Sequence, residues 1–163
     1  MKFMKLKTLA VLGIIGVAFA LVATPSYAAV RVNQAYTKTA NPGYILLSVM
    51  PGTARFGTLS SYFPTGTLNL SKTIDSVTYI ATSYTNGAVR QDVRICMTRQ
   101  YSTVIDVCQN ITGAPSGAVQ NFVGKIIAPG IDFFIEHTLT GGTYPTATPS
   151  TPDQITVNYH YFK

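Results

Sequence analysis

The two cysteines, Cys96 and Cys108, constrain the fold more than any other feature of the chain. They are the only cysteines, and each lies in a run rich in β-branched residues. Such runs favour strands, and the polar segment 99–103 between them is typical of a hairpin tip. If the chain reverses near Ser102, the two Cβ atoms face each other across an antiparallel pair at about 4.5–5.5 Å. That separation permits a disulfide, so the pattern predicts a hairpin pinned by one internal bond.

The first 28 residues have the organisation of a secretory signal peptide. Three lysines give a positive start, residues 9–22 are apolar, and a small-x-small site ends at Ala28. The apolar run is shorter than the roughly 20 residues of a spanning helix. We therefore expect cleavage after Ala28, no stable membrane span afterwards, and a single mature domain over residues 29–163.

The predicted export agrees with the cysteine usage, because an even count in an exported chain indicates a disulfide. The short lysine-rich start is bacterial in style. We therefore expect the protein in the periplasm, or alternatively outside the cell or on its surface.

Charge is sparse in the predicted mature domain. Three of the 12 basic residues belong to the signal, which leaves nine against six acidic residues. The only basic cluster is Arg90, Arg94 and Arg99, and Asp92 shares a strand face with the first two. So small and partly neutralised a patch does not indicate nucleic-acid binding.

The mature chain alternates short β-periodic segments with turns rich in Gly, Pro and Asn, and it keeps no helical period over three turns. Strands are predicted over 44–50, 77–84, 93–98, 104–111, 119–123, 131–139 and 154–162. Residues 29–39 are either a loose lead-in or an edge strand, and residues 53–70 are expected to be a loop with short edge strands. The pattern indicates an all-β protein, a single small antiparallel β-sandwich of about seven short strands.

The dipeptide Asn86-Gly87 is the strongest short hairpin signal in the chain. It is expected to turn the strand 77–84 back into the cysteine hairpin. The segment 112–117 is rich in turn residues and is expected to be a connection that precedes the strand 119–123.

Catalytic residue types are scarce. His137 falls on the apolar face of its strand and is expected to be a satisfied core histidine, whereas His160 lies on the polar face of the last strand. Asp132, Phe134 and Glu136 share a face that is expected to be mostly wet. The two carboxylates there would be about 13 Å apart, too far for a glycosidase pair. With no nucleophile motif, phosphate loop or set of metal ligands, we expect no enzyme, no cofactor and no metal.

Aromatic and basic side chains provide a candidate binding surface. The aromatics of residues 53–70 either line such a surface or fill one end of the core, and the sequence leaves both open. The candidate residues are Tyr62, Phe63, Arg94, Arg99, Tyr101 and Tyr144.

The order of features over about residues 77–161 resembles the FlhE family of periplasmic flagellar accessory proteins. The resemblance rests on a V-R-I-C…V-C hairpin, a G-x-P-x-G turn, a strand with F-x-I-E, a G-G loop with proline and a closing I-T-V-N-Y strand. It implies a small periplasmic β-sandwich that acts as an accessory or chaperone-like partner in flagellar assembly and export control. It also implies a protein partner in the cell envelope and no catalysis.

Two other classes stay open. A fimbrial or coat-type subunit, structural or adhesive, fits the Ser-, Thr- and Tyr-rich composition and the aromatic last strand, although a local disulfide is against it. A carbohydrate-binding module would use Tyr62, Phe63, Tyr101 or Tyr144 as stacking platforms, but the chain has no tryptophan. Neither the identity of the partner nor the oligomeric state follows from the sequence.

Overall fold

The computed structural model describes residues 28–46, 50–102, 104–143 and 146–163. The predicted signal peptide up to residue 27 and Tyr144 therefore lie outside the described residues. Within those ranges no helix is long and apolar enough to cross a membrane. A single 3₁₀ turn covers Ser60–Tyr62 there. The described strands are β1 Arg31–Ala40, β2 Ile45–Leu46, β3 Gly52–Gly57, β4 Lys72–Ile80, β5 Arg90–Arg99, β6 Ile105–Asn110, β7 Ser116–Val119, β8 Ile131–Thr140, β9 Thr146–Ala147 and β10 Asp153–Phe162.

Two four-stranded antiparallel sheets enclose one main core. The first has the order β1-β10-β4-β7 and the second β3-β8-β5-β6, while β2 and β9 form a separate short ribbon. The predicted all-β antiparallel sandwich is confirmed. It has more strands than the seven predicted, because residues 31–40, which the sequence left open, form a full edge strand and residues 146–147 form the short strand β9. The edge strand β3 agrees with the short edge strands expected within residues 53–70.

The core is built from alternate residues of both sheets, as a period of two requires. On β10, Ile155, Val157, Tyr159 and Tyr161 are buried, and the residues between them are partly exposed. Burying each such side chain stabilises the fold by about 1.5–3 kcal/mol. The alternation predicted for the last strand is confirmed.

The cysteine hairpin is formed by β5 and β6. Cys96 lies directly opposite Cys108 in the register of the pair, and the two form a disulfide. A bulge follows at Met97/Thr98, next to the turn. The predicted hairpin and its bond are confirmed.

The prediction for Asn86-Gly87 was wrong. Gly87 does turn, at a φ of +63°, but β4 belongs to the first sheet and β5 to the second. Because β4 is already paired with β10 and β7 on its two sides, it has no free edge for β5. The turn therefore carries the chain between sheets and closes no hairpin.

The strand predicted over 119–123 was also displaced, since β7 covers Ser116–Val119. It begins within the segment expected to be a turn. Gly117 allows this, because a Cβ there would lie 3.0 Å from the hydroxyl of Tyr79 on β4. After the strand, the chain turns and buries Phe122 in the core.

The face of β8 that was expected to be wet is largely covered. Phe134 is 4% exposed and Asp132 5% exposed. Arg55 on β3 covers both: its guanidinium carbon lies 5.3 Å from the Phe134 ring centroid, and its Nη1 donates to Asp132 Oδ2 at 2.8 Å. The arginine on the neighbouring strand therefore buries two side chains that the period of two alone would place in solvent.

Candidate functional site

The tip of the cysteine hairpin presents Tyr101 to solvent. Tyr101 is 96% exposed and has a φ of +62°, a left-handed conformation that costs a non-glycine residue roughly 1–2 kcal/mol. The turn is held by side chains: Thr98 Oγ1 donates to Val104 O at 2.7 Å, and Val104 N–H donates to Ser102 Oγ at 3.0 Å. These bonds tie Thr98 and Ser102 to Val104, and the Tyr101 ring beside them is left in solvent.

A groove of about 640 Å³ lies beside this tip, between the hairpin and the segment that leads into β8. We call it the tip groove. The residues that matter for its chemistry are Met97, Arg99, Asp106, Lys125, Ile126 and Pro129. The side chain of Ile126, on the apolar side of the groove, is about half exposed to solvent.

The tip groove is also where positive charge is left unneutralised. Neither Arg99 nor Lys125 forms an ion pair within the described part of the chain, and Asp106 is the one acid beside them. The arginines of the outer face of the same sheet are all paired, as Arg55–Asp132, Arg90–Asp92 and Arg94–Glu136. The groove therefore combines two available cations with an apolar wall.

Two of the five candidate residues that the structure describes lie at this tip. Arg99 and Tyr101 are there, whereas Arg94 lies on the outer face of the sheet, bound to Glu136 at 2.8 Å. Phe63 is 5% exposed and packs edge-on against Tyr159, with ring centroids 5.4 Å apart. That is a core position.

Tyr62 is partly buried. It stacks on Tyr36 at 4.9 Å between centroids, and the ammonium of Lys38 lies 5.0 Å from its ring centroid. Phe63 thus fits the core-filling alternative for the aromatics of residues 53–70, as does Phe56 at 1% exposed, whereas Tyr62 lies at the margin of the core. Among the described aromatic candidates, Tyr101 is the most exposed.

A buried histidine and carboxylate form a polar link that the sequence did not reveal. His137 and Asp153 are both 0% exposed, with Nε2 2.7 Å from Oδ2. Gln91 Nε2 donates to Thr82 O at 2.9 Å and lies 3.0 Å from His137 Nδ1. Because that carbonyl only accepts, the Gln91 amide acts as the donor to Nδ1 as well. The imidazole proton is therefore on Nε2, which donates to Asp153.

This link joins the two sheets. His137 lies on β8 and Asp153 on β10, and Asp153 Oδ1 accepts the backbone N–H of Thr82 at 2.7 Å. The expectation of a satisfied core histidine is confirmed. With no exposed surface, the pair cannot contact a substrate, so its role is structural. The signal for it was present in β10, where the period of two places Asp153 on the same face as Ile155.

His160 lies apart from this pair on the outer face of the first sheet. Its Nδ1 lies 2.8 Å from Asp75 Oδ1 and 3.1 Å from Arg31 Nη2, and Arg31 Nη2 donates to the same Asp75 oxygen at 2.7 Å. Across the described ranges no group of three or more His, Cys, Asp or Glu side chains is arranged to hold a metal ion.

The fold and the site define an antiparallel β-sandwich pinned by a hairpin disulfide, with an exposed tyrosine at the hairpin tip. No family model and no curated protein matches the chain. Among solved structures, the crystal structure of FlhE is similar, with a TM-score of 0.49 and 17% identity over 79% of this chain and 96% of that one.

Two plant-virus structures are also similar to the chain. That of turnip yellow mosaic virus has a TM-score of 0.43 and 15% identity over 92% of this chain and 89% of that one. That of Desmodium yellow mottle tymovirus has a TM-score of 0.40 and 10% identity over 99% and 96%. At these TM-scores and identities, no residue role or function passes from any of the three structures to this chain.

Proposed function

We propose that the protein is a non-catalytic accessory protein of the bacterial cell envelope that binds a protein partner through its hairpin tip. The observation that carries the proposal is the Tyr101 ring, almost fully exposed on a turn whose shape is held by side-chain hydrogen bonds. Tyrosine offers a large contact area with few rotatable bonds, and it is enriched among residues that dominate binding energy. A tip ordered before binding also loses little conformational entropy on association.

The tip groove suggests the chemistry of the bound segment. Arg99 and Lys125 have no ion-pair partner among the described residues, and the exposed side chain of Ile126 offers apolar contact beside them. A guanidinium pairs with a carboxylate through two parallel hydrogen bonds, which an ammonium cannot do. A segment with an apolar anchor and a nearby acidic side chain fits this groove.

The specific setting we propose is flagellar assembly and export control in the periplasm, in an accessory or chaperone-like role. Its support is the sequence resemblance over residues 77–161, together with the predicted signal peptide. The Cys96–Cys108 disulfide agrees with an oxidising compartment.

Site-specific photo-crosslinking tests the proposal in the bacterium that encodes the protein. A photoreactive residue at position 101 of the full-length chain is expected to trap one discrete partner, which mass spectrometry then identifies. Val89 gives a matched control, because it is 86% exposed at the other end of β5. Arg99→Glu should reduce trapping at position 101. Equal trapping at both positions, or none at 101, would contradict the proposal, and a partner from outside the flagellar system would remove only the flagellar setting.

A second candidate function is a structural subunit of a surface filament. The observation in its favour is the open edge of β1, because an uncovered strand can pair with another chain. Mechanical shearing of whole cells distinguishes the two functions. Recovery of the protein in the sheared filaments would support the subunit, and recovery in the periplasmic fraction the accessory protein.

A further inference from the structure

The outer edge of β1 carries a regular row of backbone groups directed away from the protein. Val30 and Lys163 exchange two backbone hydrogen bonds, of 2.9 and 3.0 Å, just before the β1–β10 register begins. That register runs from Arg31↔Phe162 to Ala40↔Asp153 without a bulge. Because bonded and non-bonded pairs alternate in an antiparallel ladder, the even-numbered residues of β1 bond to β10. The odd-numbered residues direct N–H and C=O outward.

These outward groups have no hydrogen-bond partner within the described ranges. They belong to Arg31, Asn33, Ala35, Thr37 and Thr39. They span roughly 27 Å, at about 3.4 Å per residue. One of the two edge strands of the second sheet, β6, differs, since the side chain of Asn121 donates to Cys108 O at 2.8 Å and covers the middle of that edge.

Natural proteins protect an edge of this kind with proline, a bulge or charged side chains. β1 has neither proline nor bulge. Its two charges do not guard the middle of the edge, because Arg31 lies at one end and binds Asp75, and the Lys38 ammonium lies over Tyr62. The stretch from Asn33 to Thr37 is uncharged and open.

We propose that this edge binds a second copy of the chain, with the two β1 strands antiparallel about a two-fold axis at Ala35. An isologous contact needs a self-complementary surface, and β1 provides one. Ala35 is the middle of the five outward residues, so an axis there engages every outward group, in about ten hydrogen bonds.

The side chains accept this register without conflict. Opposite pairs would be Arg31 with Thr39, Asn33 with Thr37, Ala35 with Ala35, Val32 with Lys38 and Gln34 with Tyr36, the second member of each pair coming from the other copy. No like charges are opposed, and a small residue lies at the axis. Two-fold pairing closes on itself and uses up the edge, so it produces a dimer and no filament.

Charge placed at the axis tests both the contact and its register. The side chain of Ala35 is exposed, and its backbone does not bond to β10, so Ala35→Lys and Ala35→Glu leave the fold of each chain intact. In either variant like charges meet across the axis, whereas in a one-to-one mixture lysine meets glutamate. Ala118→Lys is the matched control, an exposed alanine on β7 at the opposite edge of the same sheet.

The protein is expressed from its full-length sequence, its mass is determined, and its association is measured by analytical ultracentrifugation. We expect a dimer for the wild type and for Ala118→Lys, weakening of roughly fivefold or more for each single variant at low salt, and recovery in the mixture. Ala35→Pro, which removes the N–H at the axis, should abolish the dimer. A wild-type monomer at all concentrations would overturn the proposal. So would a dimer that the position-35 variants leave unchanged, or a mixture that fails to recover.

Discussion

Removing His137 should destabilise the protein far more than removing the other histidine. In His137→Ala, Asp153 keeps the Thr82 N–H on Oδ1 but loses His137, the one hydrogen-bond partner that Oδ2 has among the described residues, at a position with no solvent exposure. Breaking a buried pair by removing one partner costs about 3–5 kcal/mol. For a domain of this size, that is a large fraction of the total free energy of unfolding.

A conservative substitution of Asp153 gives a second measurement of what the buried link contributes to stability. Asp153→Asn keeps the shape of the side chain and an oxygen that accepts the Thr82 N–H. It places the amide NH₂ group, however, where the carboxylate oxygen accepted a hydrogen bond from His137 Nε2. One charge-assisted hydrogen bond is lost, at about 1.5–3 kcal/mol. In the double variant His137→Ala/Asp153→Asn, the loss of stability should be smaller than the sum of the two single losses by about 0.5–3 kcal/mol, because the two groups act on each other.

The assay is equilibrium unfolding in urea, with the free energy extrapolated to zero denaturant. His160→Ala is the control, because Asp75 is partly exposed and keeps Arg31. It should cost no more than about 1 kcal/mol. If His137→Ala and His160→Ala cost the same, or if the double variant is simply additive, the buried link does not join the sheets energetically.

Three further predictions concern the disulfide, the buried lysine and the buried phenols. Replacing Cys96 and Cys108 by serine should cost at most about 3 kcal/mol, because the closed loop is short and β5–β6 pairing already holds the register, and urea unfolding measures the loss. Lys72 is buried and donates to two carbonyls, and burial lowers its pKa. Lys72→Met should therefore lower the melting temperature by leaving those carbonyls unpaired. Burial raises the pKa of Tyr36 and Tyr84, so the unfolded chain loses their protons first and stability should fall above about pH 10; replacing both by phenylalanine should flatten that fall in alkaline urea titrations.

The confirmed predictions have one physical basis in common. A period of two decides which face a residue occupies wherever one face is buried, which is why the alternation on β10 and the core position of His137 were predictable. The cysteine pair was predictable because a hairpin is local: its register follows from a few residues around the tip.

The candidate binding-surface residues show that the local sequence pattern does not predict which aromatic side chains are buried. Phe63 and Tyr101 are both aromatic residues in irregular, polar segments, yet one is core and the other fully exposed. The difference comes from Tyr159, a residue about a hundred positions away that packs against Phe63. Nothing local to either residue carries that information.

By itself the sequence determined the class of fold, the hairpin with its disulfide, and the inward face of the longest strands, because these depend on neighbours along the chain. Tertiary structure alone decided that Asn86-Gly87 crosses between sheets, that Arg55 buries Phe134, and that no other described strand pairs with the outer edge of β1. Each of these depends on which strands become neighbours in space. Strand order is settled by burial of the whole core at once, and no short segment encodes it.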